Sequence, residues 1–583
     1  MTLISRAESN IGDYLERRRT FNWKDAESHF TWAQTGQVNM AYECIDRHVQ
    51  EGYGDKTALI YLPEHTEDEQ DRLQTVSFTF ADLKRETDRY ATVLKKHGMQ
   101  KGDRVFVFLP KTPECYFAIL GAIKAGAIVG PLFEAFMEAA VKDRMQDCEA
   151  RFLITDTDLQ HRVPYAELPH LEKVFVLGPD DARLPHTYAL NQALAEVEVN
   201  DEPIEWLDLE DGMIIHYTSG STGKPKGVLH AHRAMIHHHI TGKWVLDLKE
   251  DDIYWCTSHP GWVTGSSYGI FAPWLNRAPI VVNTGRFDAH EWYRTLEELK
   301  VTVWYSAPTA FRMIMSLGDE VAHRYNLHHL RHILSVGEPL NPEVVEWAQR
   351  VWQKRVHDTW WMTETGGLLI VNLPSEEIKP GSMGRAFPGI EVAILDEEGR
   401  ALPAKHVGQL AVRKGWPGLM KTIWNNEEKY QSYFPYDEWY VSGDLAYKDN
   451  EGYVFFQGRG DDMINASGER IGPFEVESKL IEHPAVAEAG VIGKPDPTRG
   501  EIVKAFIVLR EGYTHSESLL ADIRHFVKTK LAAHAAPREI EVIKELPKTR
   551  ISGKIMRRVL KAWELNEDPG DLTALQIEKK ESE

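Results

Sequence analysis

The chain has 583 residues, 43% hydrophobic and 27% charged, which is enough for a large core and more than one domain. Its formal net charge of −21 excludes a nucleic-acid coat, so any anion it binds needs cations gathered locally. Four cysteines, Cys44, Cys115, Cys148 and Cys256, lie far apart with no CxxC pair, which excludes a zinc ribbon or a disulfide framework and fits a reducing, cytoplasmic setting.

In chain order, the first residues carry no apolar signal segment, and residues 1–50, rich in tryptophan and charge, read as a packed leader. The longest apolar stretch, 117–133, is broken by Lys124 and three glycines; it reads as helix, turn and buried strand, not as a membrane span. From about 80 to 360, helical patterns such as 291–299 and 341–352 alternate with short apolar runs. RVFVFLP (104–110), RFLIT (151–155), KVFVLG (173–178), MIIHYTSG (213–220), VTVWYSA (301–307) and RHILSVG (331–337) read as buried strands. The alternation predicts α/β layers with largely parallel sheets. From about 385, turn signals between alternating strands predict antiparallel β. After Gly458 a small α+β module begins, ending in RRVLKAW, and the last twenty or so residues read as a polar tail.

Two stretches carry candidate chemistry. YTSGSTGKPKG (217–227) follows a strand and gathers Thr218, Ser219, Gly220, Ser221, Thr222, Gly223, Lys224 and Lys226. Glycines allow close backbone approach, and hydroxyls, N–H groups and cations converge on phosphate oxygens. It is not a Walker A loop, because Pro225 follows Lys224 where that motif needs Ser or Thr. A flexible surface turn has the same composition. The second stretch, HAHRAMIHHHITGKW (230–244), raises a metal hydrolase as the alternative, with His230 and His232 sharing a site. On a helix, however, His237, His238 and His239 point about 100° apart in succession, and no HExxH motif is present.

YTSGSTGKPKGVLH resembles the phosphate loop of the AMP-forming acyl-CoA synthetases, part of the adenylate-forming superfamily. DTWWMTETGG (358–367), WYVSGDLAY (439–447), GRGDDMINASGERIGPFEVES (458–478) and LPKTRISGKIMRR (546–558) follow in that family's order. NMAYECIDRH (39–48) and GWVTGSSYGIFAPW (261–274) are similar to its acetate-activating members, so the resemblance runs from about residue 20 to 565. It implies a two-step ligase. A carboxylate attacks the α-phosphorus of ATP to give acyl-AMP and pyrophosphate, and the CoA thiol then displaces AMP. It also implies a large N-terminal domain of layered α/β sheets plus a β subdomain, residues 1–460. A small mobile α+β C-terminal domain, 461–583, would turn about a hinge at Asp461.

By the same resemblance, the 218–227 loop holds the β- and γ-phosphates and then pyrophosphate. Thr363 bonds the α-phosphate and Glu364 helps bind Mg²⁺. Gly337, Glu338 and Pro339 line the adenine pocket with Asp358, Thr359, Trp360, Trp361 and Met362. Asp444, helped by Arg459, accepts from the ribose hydroxyls, because a carboxylate is a pure acceptor; Arg470 reaches the phosphates. Lys554 is the adenylating lysine, in a stretch (543–561) with seven Lys/Arg and one acidic residue. Related acetate enzymes usually read PKTRSGK, so Ile551 is an extra residue that puts a bulge just before that lysine. Lys554 also matches a position that a protein acetyltransferase and deacetylase act on in such enzymes. Thr264, Ser467, Gly468 and Lys528 face CoA, while Ile481, His483 and Val486 match a secondary Mg²⁺ site whose bland alternative is a helix end with a capping histidine. Trp361 walls the acyl pocket with Val263, Thr264 and Val336, which favours acetate first and propionate second. His259 stands where such relatives usually carry an acid. The partners implied are acetate, ATP and CoA, with no nucleic acid and no membrane. Two further alternatives stay open. One is an adenylating enzyme with a carrier-protein acceptor or a larger acid. The other is a nucleotide-binding module without catalysis, against which Thr363, Glu364, Asp444 and Lys554 stand together.

Overall fold

A computed structural model gives the architecture; it describes residues 4–64, 73–178, 187–198, 203–219, 225–285, 287–460, 462–466, 469–497, 499–548 and 555–569, with main chain only at Ser219, Glu469 and Arg470. Two large sheets carry the first part of the chain. In sheet A, Val356–Trp360, His332–Ser335, Val303–Ser306, Tyr254–Cys256, Ile280–Asn283 and Thr57–Leu62 lie side by side, all parallel, with short antiparallel strands at both edges. In sheet B, Gly212–Ser219, Ile128–Pro131, Arg104–Phe108, Phe152–Asp156, Lys173–Leu177 and Thr187–Ala189 are parallel neighbours. Every apolar run read as a buried strand is one. Each is short, rich in β-branched and aromatic residues, and covered on both faces, as parallel sheets require.

One strand differs from the parallel expectation. Gly212–Ser219 turns back as Pro225–Ala231 in an antiparallel pair, with Thr218 opposite Lys226 and Ser219 opposite Pro225. The described ends of the phosphate-loop motif, 217–219 and 225–227, therefore pair with each other.

The helices follow the expected patterns. Phe80–Lys96 starts with a capping box between Thr79 and Asp82, and buries Phe80, Leu83, Thr87, Tyr90, Ala91 and Leu94 along one face. The broken apolar stretch is the helix Pro113–Lys124 followed by the strand Ile128–Pro131. Lys124, read as an interruption, is fully buried: its Nζ lies 2.7 Å from both Asp46 and Asp88. Two carboxylates offset the cost of desolvating one ammonium. The leader is packed as expected, with Ile11, Tyr14, Phe30 and Trp32 in the main core.

From residue 392 four antiparallel strands form a third sheet, Val392–Leu395, Gly408–Arg413, Trp439–Lys448 and Val454–Arg459. Residues from 464 onward build a five-stranded sheet with the helices Pro473–Ile481, Glu517–Lys530 and Arg557–Leu565, and they have their own core around Ile464, Val491, Val503 and Ile523. Among the described residues, no helix is long and apolar enough to cross a membrane.

Candidate active site

The motif residues gather where parallel strands end, the usual place for ligands in such sheets. His332–Ser335 runs directly into Val336, Gly337, Glu338 and Pro339, and its neighbour carries Asp358, Thr359 and Trp360, with Ser335 opposite Asp358. Gly337 has φ +92°, a conformation that favours glycine. Glu338 is fixed by Thr309 Oγ1, at 2.9 Å from both carboxylate oxygens, and by Arg312 at 2.7 Å. Asp358 is buried, and burial pushes its carboxyl well above the usual range. Thr359 Oγ1 donates to Ser335 O at 2.6 Å.

Trp360 Nε1 donates to Asp444 Oδ2 at 2.8 Å, and Arg459 donates to Asp444 Oδ1 at 3.3 Å. These bonds join the motifs around 360 and 440. Trp361 is buried beside Val336, its Nε1 donating to Tyr305 OH at 3.2 Å and its ring edge-on to Tyr268 at 5.1 Å. Val263 and Thr264 are half-buried at the start of the helix Val263–Ser266. His259 has a clear job there. Its Nδ1 accepts from Gly261 N at 2.8 Å and its Nε2 lies 3.3 Å from Leu109 O. Burial lowers its pKa to about 3, so a neutral ring fixes the turn that leads into Val263.

The phosphate hairpin meets the TETGG motif through Lys226, whose Nζ lies 3.0 Å from Glu364 Oε1. Tyr433 OH donates to the same oxygen at 2.8 Å, and Lys226 also donates to Tyr433 OH. Burial opposes charge on Glu364, but Lys226 and the hydrogen bonds outweigh it and hold the carboxyl below the usual carboxylate range. Thr218 Oγ1 is buried with no hydrogen-bond partner among the described residues. Thr363 is half-buried beside Glu364.

Other expected residues lie elsewhere. Gly220, Ser221, Thr222, Gly223, Lys224, Asp461, Ser467, Gly468 and Lys554 lie outside the described residues. Arg470 is described only as main chain, opposite Asn465. The stems of the Lys554 loop are fixed: Lys548 and Ile555 form an antiparallel bridge, and Lys548 Nζ lies 2.6 Å from Glu488. Just beyond, Arg557 makes a two-pronged pair with Glu477 at 2.9 and 2.6 Å and lies 3.5 Å from Asp462. Lys528 is exposed on the helix Glu517–Lys530. His483 accepts from Ala485 N at Nδ1 and lies 3.3 Å from Asp522 at Nε2, so a metal ion there has to displace one of these contacts. The two parts of the chain touch where Asn341 Nδ2 donates to Ser478 Oγ at 3.0 Å, and Glu343 faces Glu482.

The metal-hydrolase alternative fails in this geometry. His230, His237 and His238 point their Nε2 atoms at backbone carbonyls, and no cluster of three His, Cys, Asp or Glu suited to a metal exists among the described residues. Sequence reasoning missed Tyr433 and Tyr305. Tyr433 lies 69 residues from Glu364 in KYQSYF, outside every recognised motif, and no local signal marks it.

Comparison with known proteins agrees with this assembly. Residues 46–424 match the AMP-binding enzyme family and residues 475–554 match the AMP-binding enzyme C-terminal domain. The chain belongs to the AMP-binding enzyme family of adenylate-forming proteins. It is 59% identical over 570 residues to an acetyl-coenzyme A synthetase of Bacillus subtilis (strain 168), covering 98% of each chain. It is 40% identical to an acetyl-coenzyme A synthetase of Rubrobacter xylanophilus, covering 96% of this chain and 90% of that one. Among solved structures, an acyl-CoA synthetase of Brucella canis superposes with TM-score 0.74 at 34% identity, covering 95% and 99%. The anthranilate CoA ligase AuaEII, solved with anthranoyl-AMP, superposes with TM-score 0.82 at 30% identity, covering 91% and 98%.

Proposed function

We infer that the protein is an acetate–CoA ligase, making acetyl-AMP and pyrophosphate from acetate and ATP, then acetyl-CoA and AMP from acetyl-AMP and CoA. The observation that carries this is the 59% identity, over nearly the whole of both chains, to an acetyl-coenzyme A synthetase.

The chemistry needs an anion brought to a polyanion, and the site's charges suit that task. Lys226 and the hydroxyl of Thr218, with the loop residues between them, face the β- and γ-phosphates. Thr363 bonds the α-phosphate where the acetate oxygen attacks. Asp444, oriented by Trp360 and Arg459, accepts from the ribose diol. The Lys554 ammonium, carried by the C-terminal part, neutralises charge developing on the phosphate oxygens, and acetylation of that lysine by a protein acetyltransferase removes the charge.

Glu364 suits a hard cation such as Mg²⁺. Its carboxyl is held below the usual range, and Lys226 and Tyr433 both engage the same oxygen, Oε1. When bound, Mg²⁺ neutralises phosphate charge. In the second step the C-terminal part turns at Asp461. Ser467, Gly468 and Lys528, with Thr264 on the large part, then receive CoA.

Trp361 sets the acid. Its indole is held by Tyr305 and Tyr268, so the wall does not swing aside for a longer chain. ATP–pyrophosphate exchange across a series of carboxylic acids, with and without CoA, tests the whole reading. Exchange should be strongest with acetate and weaker with propionate. Exchange with aromatic or long-chain acids alone would make this a ligase for larger acids, and no exchange at all would end the adenylating reading.

A further inference from the structure

The histidine cluster has a use other than metal binding. Five of the six backbone carbonyls from 363 to 368 have a donor of their own. Thr363 O accepts from His230 Nε2 at 2.8 Å and from Gly366 N at 3.2 Å, Glu364 O from Met420 N at 2.9 Å, and Thr365 O from Trp416 Nε1 at 2.8 Å. Gly366 O accepts from His238 Nε2 at 2.8 Å and Leu368 O from His237 Nε2 at 2.8 Å, while the single proton of the Thr365 hydroxyl goes to Met362 O at 2.9 Å. Three of the six donors are histidines that the hairpin strand Pro225–Ala231 and the helix Ala234–Trp244 present together.

A carbonyl acceptor fixes the tautomer, so each ring must carry its proton on Nε2. The rings are buried, and burial holds them neutral, with pKa values lowered to about 4, 4 and 3 for His230, His237 and His238. A lysine or arginine in these places would leave a desolvated charge. The glycines of the motif exist to admit the rings. A Cβ at Gly366, where φ is +68°, would lie 2.0 Å from Gly418 O and 2.8 Å from His230 Cε1. A Cβ at Gly367 would lie 3.1 Å from the His237 ring, and one at Gly418, outside the motif, 2.3 Å from His237 Nδ1. The leader covers the helix from outside: Trp23 packs on His237, and Phe30 on His239.

We propose that His230 and His238 are positioning residues for adenylation: as neutral donors they lock the 363–368 turn and so hold Thr363 and Glu364 in register with the phosphate hairpin. His230 is well placed for this, since it lies on the same strand as Lys226 and ties that strand to the turn that bears Lys226's partner. Without its histidine the Gly366 carbonyl is buried with no donor and the Thr363 carbonyl keeps only the Gly366 N–H at 3.2 Å, which favours rearrangement of the turn. A misplacement of about 1 Å is enough to slow a reaction by about 100-fold. The proposal rests on the adenylating reading of this turn.

The test compares the two half-reactions within one preparation of the full-length enzyme, because their ratio does not depend on the fraction that is folded. His230→Leu and His238→Leu should lower acetate-dependent ATP–pyrophosphate exchange on the order of 100-fold, yet lower thioester formation from supplied acetyl-AMP by less than about threefold. His230→Gln and His238→Gln, which can return a donor near Nε2, should recover exchange to within about tenfold of the native rate. His239→Leu removes an equally buried ring on the same helix that packs on Phe30 and His29, and should leave the ratio unchanged. Equal losses in both half-reactions, a Gln variant no better than Leu, or the same ratio change in His239→Leu would each overturn the proposal. Absence of exchange in the native enzyme would instead overturn the adenylating reading beneath it.

Discussion

The turn at 362–368 and the stems of the Lys554 loop are held in opposite ways. Around the turn the donors are neutral: three histidines, an indole and two main-chain N–H groups, all buried. Around the loop the ties are ionic and partly wet. Lys548 pairs with Glu488 and Arg557 with Glu477, while Lys494 and Lys504 converge on Glu564 to anchor the following helix. Neutral buried bonds resist pH and salt, which suits a cradle whose shape must not change. Ion pairs respond to pH and salt, and they hold the part for which two orientations are proposed.

The sharpest test of that division is to remove Lys554, the cation proposed for the first half-reaction. Lys554→Ala should slow acetyl-AMP formation by roughly 10²–10³-fold, while thioester formation from supplied acetyl-AMP continues. Equal slowing of both steps would mean that the lysine serves its lobe and not the first reaction. On the rigid side, Trp361→Gly should raise activity with butyrate relative to acetate by roughly tenfold or more, since Tyr305 and Tyr268 hold the wall that is removed. An unchanged chain-length profile would show that another surface sets the limit.

A milder change reaches the carboxylate where hairpin and turn meet. Tyr433→Phe deletes one donor to Glu364 and leaves Lys226, so the carboxyl should titrate higher and the acidic limb of the exchange profile should move up in pH. The loss at neutral pH should be about tenfold or less. An acidic limb that stays in place would separate Glu364 from the rate.

The smallest effect concerns the contact between the two parts. Burial first, and then the neighbouring Glu482, raise the Glu343 carboxyl from 4.5 to about 7. The sign follows directly. Below pH 4.5 the acid is protonated whether the parts touch or not, and between 4.5 and 7 only the touching state holds the proton. The contact therefore weakens as pH rises through that window and then levels off. Energy transfer between dyes on the two parts should fall from pH 4.5 to 7 in the native protein and stay flat in Glu343→Gln, with turnover changed only about twofold. A native signal that does not respond to pH would refute the assignment.

Most of the fold was legible because its signals are local. A buried parallel strand is a short run of Val, Ile and Phe bounded by glycine, and RVFVF or HILS needs nothing else to be read. Lys124 was harder, since its two carboxylates come from residues 46 and 88 and no window along the chain shows all three. At the site, Asp444 and Glu364 could be carried over from recognised motifs, but what holds them could not. The links from Trp360 to Asp444 and from Tyr433 to Glu364 join residues 84 and 69 positions apart. The histidines show the limit most clearly: spacing alone ruled against a shared ion, yet which carbonyl each ring meets depends on a turn 128 to 133 residues downstream.

The bridge between Lys548 and Ile555 has a consequence for the added isoleucine at 551. Residues 548 and 555 are paired on either side of it, and closing a segment one residue longer adds an entropic penalty of only about 0.1 kcal/mol. Deleting Ile551, or adding a further residue beside it, should therefore retune the proposed first half-reaction while leaving the melting temperature where it was.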